Sequence, residues 1–301
     1  MISSLDPGAQ AFLTGLNQIQ QRAQKAQNQL TTGRKLNTVS DAPSEIADLW
    51  QTQSNLDRVQ QVDSNLGRVQ TEVNTGESVL SNAVTLIERA QTLGAQGASD
   101  IVDANTRQDL ANELGSVLQQ LVSTANTTVE GRYIFSGDSD QTAPYSIDMT
   151  QTYPVSTYQG SPSTRVIQGP DGSTFAIAQT AQQIFDSNNA QQNVFVSINS
   201  LRQALLNNDS TGINSALADV MSAGKYLNQQ LAFYGTVQDR VASSLSFGQN
   251  YETQLKSQLS QVQDADEAEA ITEMTQAQTQ LQAALVSRAQ FPRTSLFDFL
   301  A

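Results

Sequence analysis

The chain has 301 residues, of which 38% are hydrophobic and 6% aromatic, and it carries a formal net charge of −13 with no cysteine and no histidine. This composition excludes disulfides, thiolate nucleophiles and histidine ligands, and the acidity argues against a surface for nucleic acid or for an anionic membrane. The small apolar share predicts a thin core made of helix contacts rather than a globular centre.

The first predicted element is a helix with a single apolar stripe. Its apolar residues recur at alternating steps of four and three, which is the spacing of one helix face. Gly33 is suited to end this helix, and Pro43 is suited to start the next one. The stripe consists of Phe12, Leu16, Ile19, Ala23, Ala26 and Leu30.

The N-terminal stretch MISSLDPGAQAFLTGL lacks the basic region and the continuous apolar region of a secretory signal. The chain also contains no run of about 20 apolar residues, the length that a membrane-spanning helix needs. We therefore expect that any export would use another route.

Two more helices are predicted before the middle of the chain. The second runs from about Ser44 to Gln96, with apolar residues at helical spacing from Val59 to Ala90. Helices of this length, roughly 80 Å at about 1.5 Å per residue, are typical of coiled coils and bundles. After glycines at 94 and 97, a third helix is predicted from about Asp103 to Val129.

The middle of the chain, 131–178, has a different character. Short β-branched and aromatic runs alternate there with Gly, Pro and Asp turns. The runs Val166–Ile167 and Phe175–Ile177 flank the turn sequence GPDG, which is typical of a β-hairpin. We predict a small β-rich insert.

The helical pattern returns after the insert. Two short helices are followed by a long pattern from Leu217 to Val262, which the acidic stretch DADEAEA interrupts. This stretch lacks the glycine turn of a calcium loop, and acids are favoured at a helix start, so we interpret it as a cap. The apolar face of the final helix is predicted to contain Ile271, Met274, Gln278, Leu281 and Leu285.

Together these elements predict a mainly α fold. The N- and C-terminal segments would form a long antiparallel helical, coiled-coil rod that carries the small β-rich domain. No phosphate loop, dinucleotide motif or nucleophile elbow is present. We therefore expect no enzyme, no cofactor and no metal site.

Four stretches, in order along the chain, resemble the flagellin superfamily. LTTGRKLNTVSDAP is similar to the turn between the first two helices of the family, although one of its paired acids is Ala42 here. GRYIFSG and SLFDFL resemble stretches of the family's hook-associated members. The remaining stretch, DADEAEAITEMTQAQTQLQAAL, lies between these two and is similar to the C-terminal helix of the family.

The resemblance implies a secreted structural protein at the junction of the flagellar hook and filament, exported unfolded through the flagellar channel. The implied partners are other copies in a ring, the first hook-associated protein, flagellin and a cytoplasmic export chaperone. The implied layers are an inner coiled coil (1–43 and 264–301), a helical shaft (44–130 and 179–263) and an outer insert (131–178). The alternatives are a small flagellin that builds the filament, and a non-flagellar coiled-coil adhesin.

The resemblance also implies which residues make assembly contacts. The apolar ending is costly in a monomer but is useful where subunits bury it. The alternative is an intramolecular tuck of this ending against Phe12 and Leu16. The candidate assembly contacts are Phe12, Leu16, Ile19, Leu30, Ile271, Met274, Leu281, Leu285, Leu296, Phe297, Phe299 and Leu300.

Overall fold

The computed structural model describes residues 7–36 and 43–290. Helices make up most of these residues, and the four strands form two separate two-stranded antiparallel sheets. This confirms the predicted mainly α class with a small β-containing segment. The elements are α1 (Pro7–Thr32), α2 (Pro43–Gly97), α3 (Ala104–Ala125), β1 (Thr128–Val129), β2 (Arg132–Tyr133), β3 (Val166–Gln168), β4 (Thr174–Ala176), α4 (Ala181–Phe185), a 3₁₀ turn (Ala190–Gln192), α5 (Val194–Leu206), α6 (Ser210–Gln263) and α7 (Glu267–Gln290).

Most element boundaries lie where the local signals predict them. Gly33 has a φ of +66° directly after α1, and β3 and β4 flank the predicted GPDG turn. The predicted end of the third helix near Val129 is wrong. α3 ends at Ala125, where the Asn126 side chain donates to and accepts from the backbone of Tyr145 at 2.7 and 3.1 Å, and the chain then enters β1.

The chain divides into two compact units. One consists of the described residues up to Arg58 together with those from Tyr251 onward, and the other is Val59–Asn250. These limits lie within α2 and α6 rather than near residues 43 and 264. Within the described ranges, no helix has both the length and the apolar character that crossing a membrane requires.

In the unit Val59–Asn250, α2 and α6 run antiparallel. Gln238 donates to Asn74 at 3.1 Å near one end of this pairing, and Gly94 approaches Leu217 near the other. One continuous cluster of buried residues joins the two helices to α3, α4 and α5. The helices therefore bury the apolar stripes that their spacing predicts.

The segment 131–178 packs into the same apolar cluster as the helices. Phe135, from the GRYIFSG stretch, is fully buried and makes edge-to-face contacts with Phe185 and Tyr234, at centroid distances of 6.4 and 6.2 Å. The final glycine of this stretch, Gly137, has a φ of +62°, and a Cβ there would lie 2.3 Å from the carbonyl oxygen of Ser161. The stretch thus anchors the insert to the helices.

At Gly76, α2 packs closely against the Tyr234 ring. A Cβ at Gly76 would lie 2.7 Å from a carbon of that buried ring. We expect Gly76→Ala to lower the free energy of unfolding by about 1–2 kcal/mol, because overpacking outweighs the better helix propensity of alanine. The matched control is Gly67→Ala on the same helix, where nothing lies within 4 Å. Urea unfolding should show that variant to be as stable as the parent or more so, and equal losses in both variants would contradict the packing argument.

Candidate assembly surface of the terminal helices

α1 and α7 pair antiparallel along their length. The Arg22 guanidinium donates to the Gln280 side-chain oxygen at 2.9 Å, and Arg288 lies over the Phe12 ring at 5.7 Å. The terminal segments thus form the antiparallel pair that the sequence predicts. Each helix covers part of the apolar stripe of the other.

The turn beside this pair is held by backbone hydrogen bonds. The Ala265 N–H donates to the Gly33 carbonyl at 2.9 Å, and the Lys35 N–H donates to the Gln263 carbonyl at 2.7 Å. The Asp266 carboxylate accepts from the N–H groups of Ala268 and Glu269 at the start of α7. The DADEAEA stretch therefore supplies a helix cap, as predicted.

Small residues lie at the centre of the α1–α7 interface. Ala26 on α1 and Ala270 and Ala277 on α7 are each at most 2% exposed. Alanine lets the two helices approach closely, so the larger side chains fill the flanks of the interface. The prediction that Ile271, Gln278 and Leu285 share the buried face is wrong, because these three are exposed while the alanines face α1.

The structure separates the predicted contact residues into three groups. Phe12, Leu16, Ile19 and Leu30 on α1, and Met274 and Leu281 on α7, are half-buried. Ile271 and Leu285 are 56% and 52% exposed. Leu296, Phe297, Phe299 and Leu300 lie outside the described residues.

Ile271 and Leu285 share one flank of the interface, and we call these two side chains together with the other exposed large apolar side chains of the helix pair the apolar edge. It comprises Leu13 on α1 and Ile271, Leu285 and Val286 on α7, each between 44% and 57% exposed. Leu13 was not among the predicted contact residues. Large apolar side chains that a helix pair leaves exposed are available to a neighbouring protein that covers them.

The other flank of the same helix pair is charged. Because each residue turns an α-helix by about 100°, Glu269 and Glu273 lie on the opposite side of the buried alanines from Ile271 and Leu285. They line a groove together with Arg22 and Lys25 of α1. None of these four side chains forms an ion pair with another described residue. The helix pair therefore has two chemically different sides, the apolar edge and the charged groove.

Two regions of the chain match models of one protein family. Residues 6–140 match the bacterial flagellin N-terminal helical region, and residues 217–300 match the bacterial flagellin C-terminal helical region. α1 lies within the first match, and α7 lies within the second. The helices of the candidate surface thus fall in the regions that define the family.

Whole-length relatives and a solved structure agree with these matches. The chain is 26% identical over 320 residues to flagellar hook-associated protein 3 of Salmonella typhimurium, covering 95% of each chain. It is 27% identical over 323 residues to the protein of the same name from Escherichia coli K12, covering 96% of each. Its fold is similar to flagellar hook-associated protein 3 from Legionella pneumophila, with a TM-score of 0.62, 14% identity, and coverage of 70% of this chain and 98% of that one. Since both defining regions are present, in order and towards the two ends, the chain belongs to the bacterial flagellin family.

Proposed function

We propose that this protein is a structural adaptor of the bacterial flagellum that joins the hook to the filament. The observation that carries this proposal is the similarity to flagellar hook-associated protein 3 over 95% of both chains. The paired terminal helices, with an uncovered apolar edge, supply a physical means of self-assembly. The role is structural rather than catalytic.

The proposal includes a location and partners. The protein would leave the cell through the flagellar export channel and act outside it, at the hook–filament junction. Its partners would be further copies in a ring, the first hook-associated protein on the hook side, flagellin on the filament side and an export chaperone before secretion. Segments 1–43 and 264–301 would form the inner layer, 44–130 and 179–263 the shaft, and 131–178 the outer insert.

The second candidate function is that of a small flagellin. The family matches alone are compatible with it, because flagellins share both helical regions. The whole-length similarity to two hook-associated proteins favours the adaptor. An adhesin of another family would not account for either finding.

A deletion strain tests the proposed function. Without the protein, cells should carry hooks that lack filaments, and flagellin should accumulate in the medium because it has no junction to build on. Electron microscopy and immunoblots of the medium measure both outcomes, and the full-length chain supplied from a plasmid is the control. Normal filaments in the deletion strain would refute the adaptor role, whereas loss of filaments without released flagellin would favour the flagellin alternative.

A further inference from the structure

An open groove of about 440 Å³ lies between α2 and the β1–β2 hairpin, within the unit Val59–Asn250. Three arginines line it: Arg68 from α2, Arg132 from β2 and Arg165 from the segment before β3. We call it the arginine groove. It contains three of the sixteen lysine and arginine residues of a chain whose net charge is −13.

The three arginines differ in whether a nearby carboxylate neutralises their positive charge. Arg165 forms an ion pair with Glu72, and both side chains are mostly buried, so the two opposite charges offset each other at the bottom of the groove. Arg132 and Glu130 are 3.9 Å apart and largely exposed, so solvent weakens their attraction. Arg68 is exposed and forms no ion pair with another described residue. The groove lining therefore carries three positive and two negative charges, and its uncompensated charge is that of Arg68, with Arg132 held only by a weak, exposed pair.

The backbone at the rim is strained. Glu130 and Gly131 connect β1 and β2 with φ values of 52° and 77°. Two consecutive positive φ values define a type I′ turn, whose first position favours asparagine, aspartate or glycine. A glutamate there costs free energy, and such strain is concentrated at functional sites. The strained turn places Arg132 beside the groove.

A ligand of complementary charge is present elsewhere in the chain. The segment 264–273 carries five exposed acidic residues, and none forms an ion pair with another described residue. Lys25 and Arg22 face part of the segment across the charged groove, but they form no ion pair with it. The acidic residues are Asp264, Asp266, Glu267, Glu269 and Glu273.

We propose that the arginine groove of one copy binds the acidic segment 264–273 of a second copy. The groove and the segment are different surfaces, so each copy offers one of each and the contact runs head to tail. Repetition of such a contact closes a ring or extends a helix. This inference rests on the proposed function and assigns a contact within the assembly. Arginine suits the role because its planar fork binds carboxylates through two hydrogen bonds.

Cross-linking between two full-length variants tests the contact. The natural chain has no cysteine, so Asn65→Cys in one preparation and Glu267→Cys in another give a single reactive thiol each. Asn65 lines the groove, and Glu267 is exposed in the acidic segment. Mixed at high concentration and low salt with a short bismaleimide, the two should form a covalent heterodimer. Its yield should fall as NaCl is added, because salt screens exposed charges.

Charge reversal and a matched cysteine make the test specific. Arg68→Glu with Arg132→Glu in the Asn65→Cys chain should lower the yield about tenfold, because attraction becomes repulsion. Glu269→Arg with Glu273→Arg in the other chain should restore it. Asp100→Cys, an exposed acidic position outside the segment, should give only background cross-linking.

Two results would overturn the proposed contact: equal yields with Asp100→Cys and Glu267→Cys, or a yield that charge reversal leaves unchanged. Because Arg68 and Arg132 are exposed, thermal unfolding by circular dichroism should show that the reversed chain is folded. The readout uses purified protein and is independent of filaments in the deletion strain. The contact and the adaptor role can therefore fail separately.

Discussion

Replacing Ile271 and Leu285 together by serine is expected to abolish filament attachment while leaving the folded chain as stable as before. Both side chains are more than half exposed on the apolar edge, so the monomer gains little from them. Burial against neighbouring copies would stabilise the assembly by about 1–2 kcal/mol for each side chain, at about 25 cal/mol per Å². An assembly loses this contribution at every subunit, so a modest change per contact becomes decisive.

The measurements separate assembly from folding. Cells with the double variant should secrete it normally but release flagellin into the medium, and purified protein should keep its melting temperature. The matched control is Gln276→Ser with Gln290→Ser, two exposed polar positions with the same spacing on the other side of α7, which should leave attachment unchanged. If the apolar variant supports full-length filaments, the apolar edge is not an assembly contact. If its monomer unfolds several degrees lower, these side chains are covered within their own chain.

Replacing Arg107 by alanine is expected to cause a large loss of folding stability, about 3 kcal/mol. Arg107 is 5% exposed, and its guanidinium donates to the carbonyls of Gly97 and Ser99 at 3.0 and 3.2 Å and to the Asn208 side chain. It thereby joins the end of α2, the start of α3 and the turn before α6. Hydrogen bonds from a charged donor contribute about 1.5–3 kcal/mol each, less than additively, and their removal leaves buried acceptors without partners.

Urea unfolding measures this loss, and two variants serve as its controls. Arg107→Lys keeps the positive charge but loses the planar fork, so it should recover only part of the stability. Asp109→Ala, at an exposed position on the same helix, should change the free energy of unfolding by less than about 0.5 kcal/mol. A loss below about 1 kcal/mol for Arg107→Ala would show that water replaces the guanidinium at these carbonyls.

Local sequence was sufficient to predict the helices and several turns. The alternation of three and four residues predicted the long helices, and Gly33, Asp266 and the GPDG turn lie at boundaries that the structure confirms. These features could be predicted because helix periodicity, capping and a positive φ depend on residues within a few positions of one another. The family could be recognised for a related reason, since three of its stretches contain such turns or caps, at Gly33, Gly131 and Asp266.

Only the tertiary structure determined which face of α7 packs against α1. Spacing alone placed Ile271 and Leu285 on the buried face of α7, but the structure buries Ala270 and Ala277 there and leaves the larger side chains on the apolar edge. Ala270 and Ala277 are seven residues apart, which is the spacing of one helix face. However, the sequence positions directly after them, 271 and 278, together with Leu285, have the same spacing. Which of these two faces packs against α1 depends on the surface of α1, because alanines let the two helices approach closely and branched side chains do not.

The structural role of single polar residues was also decided only by the tertiary structure. Arg107 stands in an ordinary polar stretch of the sequence, and Arg68, Arg132 and Arg165 are far apart along the chain. They gain their roles when distant elements bring carbonyls to Arg107 and bring the three arginines to one groove. Local periodicity sets which segments are helical, whereas burial and electrostatics depend on neighbours that only the folded chain supplies.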